Sequence, residues 1–194
     1  MSPLAGLVFA AALLLGSAGV GKAARPGATR IALRSAGLPA SELAARALGV
    51  AEVAIAVAAL LVGGPVATGL VALSYLGFAC FARRLDTRTR GSAPCGCFGA
   101  SSAPVGTLHV AINLLIAVGV AIAAVDAPGP IWDAAGDTPW AGVPFIGLTL
   151  LLTWLLYAAL TTLPEALAAA KAPAPNAASG PTTATFNPNA GAAS

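Results

Sequence analysis

Charge is scarce in this sequence. Asp, Glu, Lys and Arg make up 9% of the 194 residues, while 58% are hydrophobic. Soluble domains carry about 25% charged residues, so a water-facing surface cannot be covered and a soluble domain able to fold alone is excluded. No run alternates apolar and polar residues as the strands of a membrane barrel do, and no internal repeat stands out. The first apolar stretch lacks the basic leader of a cleaved secretory signal. It also outruns the usual 7–15-residue apolar core of such a signal, so it reads as a retained helix.

What the chain has instead is long apolar runs. A helix needs roughly 20 such residues to cross about 30 Å of hydrocarbon. Pro3–Gly21, Val53–Ala82, Val105–Val125 and Thr138–Pro164 contain no Asp, Glu, Lys or Arg. Gly63-Gly64-Pro65 divides the second run, because Gly-Gly-Pro breaks helices and favours a tight hairpin. The expected fold is all-α, an integral membrane bundle of four to five transmembrane helices. The spans fall at about Pro3–Gly21, Leu43–Val62, Val66–Ala82, Val105–Val125 and Trp140–Leu163. Lys22–Glu42 reads as a loop or short interfacial helix, with Ser41 placed as an N-cap. Residues 1–165 form the helical domain, and 166–194, dominated by Pro, Ala, Thr, Asn and Gly, form a tail expected to be disordered.

The charges fall unevenly. Lys22, Arg25, Arg30, Arg34 and Arg46 lie between the first two spans, and Arg83, Arg84, Arg88 and Arg90 follow the third. The segment between the last two spans carries Asp126, Asp133 and Asp137 and no Lys or Arg. This is the asymmetry that orients membrane proteins, positive side inward, and it puts the N-terminus outside. Trp132 and Trp140 suit an interfacial aromatic belt. The net charge of +3 does not indicate a nucleic-acid partner, since the basic groups are interrupted and lack neighbouring aromatics on which bases could stack.

Cys95-Gly96-Cys97 is the strongest local signal for chemistry. Two thiols one residue apart can close a small ring, with Cα atoms near the upper end of the usual 4.4–6.8 Å separation. Short strained disulfides are the labile, redox-active kind. The alternatives are two ordinary loop cysteines, or metal ligation with Cys80 and His109, although the spacing matches no common zinc pattern. Glu52 lies about ten residues, roughly 15 Å at 1.5 Å per residue, into the second span. An ionisable residue at membrane depth is costly and is a functional candidate by default. Lys22, at the end of the first span, is its expected partner. His109 and Asn113, four apart, share a face of the fourth span. Cys80 lies in the last turns of the third. Lys22, Glu52, Cys80, Cys95, Cys97, His109 and Asn113 are all expected in one buried layer at the basic end.

Three places in the chain resemble the methylamine utilisation protein MauE family, itself similar to DoxX-like membrane proteins. They are Gly19-Val20-Gly21-Lys22, Gly49-Val50-Ala51-Glu52 and Pro94-Cys95-Gly96-Cys97-Phe98-Gly99. The last is the specific one, and Ile112 stands where the family often has a basic residue before Asn113. The resemblance covers about residues 3–125. It implies a multi-pass protein of the bacterial plasma membrane that helps mature a periplasmic amine dehydrogenase. Disulfide formation with a thioredoxin-like partner is its implied means. In that frame Cys95 and Cys97 exchange electrons, and a quinone is the candidate acceptor. One tension follows: the charge count puts both cysteines at the cytoplasmic face, whereas oxidative maturation takes place outside. A loop dipping back into the bundle, electron relay across the membrane, or an orientation opposite to the charge count would reconcile the two; the agreement of nine basic residues favours the charge count.

Overall fold

In a computed structural model of the chain, residues 4–90, 93, 105–136 and 142–171 are described. They form α1 (Ala5–Ala24), α2 (Gly27–Ser35), α3 (Glu42–Leu61), α4 (Gly64–Thr89) and α5 (Thr107–Ala123). A single 3-10 turn (Ala124–Asp126), α6 (Ile131–Gly136) and α7 (Gly142–Lys171) follow. No strand occurs among the described residues. Five helices are long and apolar enough to cross a membrane: α1, α3, α4, α5 with its 3-10 turn, and α7. The all-α membrane bundle expected from composition is the observed architecture, with five spans.

α1 is the central helix. Val8, Phe9, Ala10, Ala11, Ala12, Leu14 and Leu15 are no more than 2% exposed, because α3, α4, α5 and α7 all pack against it. The main core joins Val8, Ala11, Ala12 and Leu15 to Ala59, Val71, Tyr75, Ile116 and Val120. In lipid there is little hydrophobic drive between helices, so close approach of small residues and interhelical hydrogen bonds carry the packing. Tyr75 supplies such a bond, its hydroxyl donating to the Ala11 carbonyl at 2.9 Å.

The expected break at Gly63-Gly64-Pro65 is a tight turn between α3 and α4. Gly63 and Gly64 adopt φ of +70° and +83°, which L side chains resist. A Cβ on Gly63 would stand 2.5 Å from the Gly129 carbonyl carbon, and the Gly64 N–H donates to the Pro128 carbonyl at 2.8 Å. The turn is thereby sealed against the acidic loop at that end of the bundle.

The basic end is built differently. α2 is an amphipathic helix lying across the helix ends, with Ala32 buried and Ile31 and Arg34 exposed. α4 runs on to Thr89 rather than stopping at Ala82, and the extension has a purpose. Leu85 is buried with Ala32, Ala36, Ala82, Ala93 and Val105 in a second apolar cluster. Arg84 Nε donates to the Ala36 carbonyl at 2.7 Å, which satisfies an orphan carbonyl just past the C-terminus of α2. The Arg88 guanidinium lies against Gly37, where any Cβ would collide with it. Arg84→Ala should therefore raise hydrogen exchange across the last turn of α2 by about ten- to a hundredfold, as expected for a charge-assisted bond worth about 1.5–3 kcal/mol. Exchange in α1 should stay unchanged, and equal loosening of both helices would contradict this local clasp.

α7 continues to Lys171, past the domain boundary expected at 165. Pro164 lies inside it and does not end the helix. The remaining tail, 172–194, lies outside the described residues.

Candidate functional site

The site begins with two glycines. α1 and α3 run antiparallel and cross where Gly19 faces Gly49. A Cβ on Gly19 would lie 2.6 Å from the Gly49 carbonyl oxygen, and one on Gly49 would lie 2.5 Å from the Gly19 oxygen. Backbone touches backbone here, as only glycine permits. The arrangement is reciprocal. The vacant Cβ position of Gly19 is 3.0 Å from Glu52 Cβ, and that of Gly49 is 3.0 Å from Lys22 Cβ. Each glycine thus makes room for the charged residue of the opposite helix. One turn separates glycine from charge on both, Gly19 from Lys22 and Gly49 from Glu52.

This crossing brings Lys22 Nζ to 2.7 Å from Glu52 Oε2, with side chains 4% and 3% exposed. The ammonium also sits 4.9 Å from the centroid of the Phe78 ring, within cation–π range. Phe78 in turn meets Tyr75 edge to face at 5.7 Å. Lys22 is thereby held from two sides, while Glu52 Oε1 is buried with no hydrogen-bond partner among the described residues. Glu42 and Arg46 pair at 2.9 Å with 53% exposure, so the first turn of α3 lies in the interface. Glu52 follows Arg46 by six residues, about 9 Å along the helix.

Lys22 and Glu52 line one wall of an apolar cavity of about 340 Å³. α2 and the turn after it roof it with Ala32, Leu33 and Leu38, and α4 walls it with Gly77, Phe78 and Phe81. Leu48 and Ala51 of α3 and Gly77 of α4 line it and are themselves exposed, so its mouth faces sideways between α3 and α4. Phe78 and Phe81 have no counterpart among the residues singled out from sequence. The only advance signal for them was that aromatic residues are few.

The expected single polar layer divides in two. His109 and Asn113 are buried, at 3% and 4% exposure, but on the far side, toward α7. Asn113 Nδ2 donates to the His109 carbonyl at 2.7 Å, and the His109 ring hydrogen-bonds to the backbone of Leu160. Pro164, four residues on, lacks the N–H that would normally take the Leu160 carbonyl, so the histidine fills a gap made by proline. His109 Nδ1 has no partner among the described residues.

Cys80 departs from expectation. It is exposed and free, because the inward face of α4 at this level belongs to Ala79 and Ala82 and a one-residue step turns the side chain outward to lipid. Cys95 and Cys97 lie outside the described residues. The chain enters and leaves their segment at a fixed place, however: the Val105 N–H donates to the Ala93 carbonyl at 3.0 Å, and both residues sit in the cluster beneath α2.

The family model for the methylamine utilisation protein MauE matches residues 2–126. The chain belongs to the MauE family. The match takes in α1 to α5 with the 3-10 turn, and so includes the glycine crossing, the Lys22–Glu52 pair, the cavity and both feet of the cysteine segment. The curated proteins and the solved structures compared with this MauE-family chain give no match.

Proposed function

We propose that this MauE-family chain is a membrane thiol–disulfide redox protein that supports maturation of an amine dehydrogenase-type client in methylamine utilisation. Cys95 and Cys97 are the exchanging pair. The observation that supports this reading most is the anchoring of their segment. Ala93 and Val105 are bonded together beneath α2, and α2 also roofs the cavity beside Lys22 and Glu52. Ala32, Leu38 and Phe81 belong to both the anchor and the cavity lining.

The chemistry balances with a quinone as oxidant. Two S–H bonds break and one S–S bond forms. Two electrons and two protons pass to the quinone, which becomes a hydroquinone. The disulfide is then passed by thiol exchange through a mixed disulfide to a thioredoxin-like protein, and from there to a periplasmic client. The basic residues argue for a cysteine segment at the cytoplasmic end, whereas thiol exchange with a periplasmic protein needs sulfur-to-sulfur contact, so this route requires that segment to reach the outer face.

Alkylation in SDS tests the resting disulfide, with Cys80 as internal control. In untreated membranes one thiol per chain should react, and after reduction three. Three reactive thiols in both samples would remove the disulfide from the mechanism. Client maturation retained by Cys95→Ser/Cys97→Ser would make the chain a non-catalytic stabilising partner instead.

A further inference from the structure

We infer that the cavity between α2, α3 and α4 is a binding site for the ring head of a membrane-soluble hydroquinone, with one ring hydroxyl donating to Glu52 Oε1. The inference rests on the thiol-redox reading only for the use of the ligand, not for its binding.

Four observations narrow the ligand. The first is charge: Lys22 and Glu52 neutralise each other at 2.7 Å, so the wall carries no net charge and selects a neutral head. The second is hydrogen bonding. Glu52 Oε1 is buried and unpartnered among the described residues, and a buried acceptor left empty is costly. As the second oxygen of a carboxylate already paired to an ammonium, it accepts, so the ligand must bring a donor. The third is shape and polarity. Phe78, Phe81, Leu33, Leu38 and Ile55 surround the remaining space, which suits a flat ring, and about 340 Å³ falls in the range of small-molecule pockets. The fourth is access. The mouth lies between α3 and α4, at Leu48, Ala51 and Gly77, so a long apolar tail can stay in the bilayer while the head enters.

A preference follows from the direction of that hydrogen bond. A hydroquinone offers O–H to Oε1, whereas a quinone offers only carbonyl oxygens, which face the carboxylate oxygen unfavourably. The site therefore binds the reduced form more tightly. Under the thiol-redox reading, this preference makes the bound quinone the stronger oxidant and favours electron flow from the cysteines to it.

The test uses tritiated decylubiquinone, oxidised or chemically reduced, with the full chain in phosphatidylcholine nanodiscs and empty nanodiscs as partition control. One saturable site per chain is expected, with the reduced form bound at least tenfold more tightly. Ala51→Phe, at an exposed position in the mouth, should weaken both forms at least tenfold without changing the melting temperature. Glu52→Gln should keep one saturable site per chain while shrinking the preference between the two forms toward unity, whereas loss of fold would remove the saturable site. Cys95→Ser/Cys97→Ser should bind as the native chain does, so failure of the thiol chemistry alone leaves this result standing. Equal binding of the two forms by the native chain, binding unaffected by Ala51→Phe, or a cavity held by phosphatidylcholine that excess decylubiquinol does not displace would each overturn the assignment.

Discussion

Gly49→Ala lowers stability by about 3 kcal/mol, and Gly49→Val leaves little folded protein. The new Cβ would stand 2.5 Å from the Gly19 carbonyl oxygen, 2.8 Å from the Ala23 nitrogen and 3.0 Å from Lys22 Cβ. Two of these atoms are backbone and the third is a Cβ, so none can swing aside as the end of a flexible side chain could. The helices must separate instead. Over-packing typically costs about 1–3 kcal/mol, and here separation also stretches the 2.7 Å Lys22–Glu52 contact, which places the change at the upper end. Gly19→Ala should behave alike, with the Gly49 oxygen at 2.6 Å. The two changes should fall short of additive, because the first already opens the crossing that the second would open. Gly147→Ala is the control: nothing lies within 4 Å of its Cβ position, and alanine favours helix by about 1 kcal/mol over glycine. SDS-titrated unfolding measures all four. A Gly49→Ala protein as stable as Gly147→Ala would show that the helices do not cross as closely as described.

These outcomes bear on what could be read in advance. The spans were legible because membrane crossing imposes length and apolarity, so uncharged runs located α1, α3, α4, α5 and α7 to within a few residues except at the C-terminal ends of α4 and α7. α4 was misjudged at its end because Arg83, Arg84 and Arg88 look like a loop signal. They are in fact the exposed face of a helix whose other face buries Leu85 and clasps α2. The last span was expected to end near Leu163, whereas α7 passes through Pro164 to Lys171 and the backbone the proline disturbs is bonded by His109. Of the candidate site, Lys22 with Glu52 was legible because a buried charge demands a partner. The split of His109 and Asn113 from that pair was not, because depth along the bundle can be counted from sequence but rotation about the helix axes cannot. Cys80 failed for the same reason. The cavity was invisible in advance, since it is defined by gaps between α2, α3 and α4 rather than by any run of residues. The glycine spacing was the missed signal: a glycine three residues before each of two complementary charges, on antiparallel neighbours, specifies a reciprocal crossing.

The largest single-residue effect on the site itself is expected from Lys22→Met. Methionine preserves length and apolar stem but leaves Glu52 without its counter-charge in a mostly apolar wall. Removing one partner of a buried pair costs about 3–5 kcal/mol, because the remaining charge has lost both water and counter-charge. Glu52→Gln should cost less, about 2 kcal/mol, because the Lys22 ammonium keeps the Phe78 ring at 4.9 Å and its stem can reach toward the nearby interface. The double variant should recover to within about 1 kcal/mol of the native chain, since replacing both members of such a pair is often close to neutral. The coupling energy of the cycle then has the sign of a direct interaction, and SDS-titrated unfolding of the four proteins supplies it. Strictly additive losses would show that the two side chains do not meet. Electron transfer from the cysteines to decylubiquinone, followed in the same four proteins, separates structure from function. A double variant restored in stability but still inactive gives the pair a role in the reaction. A double variant restored in both shows that the pair serves the α1–α3 crossing, with the glycines on either side of it holding the same seam closed.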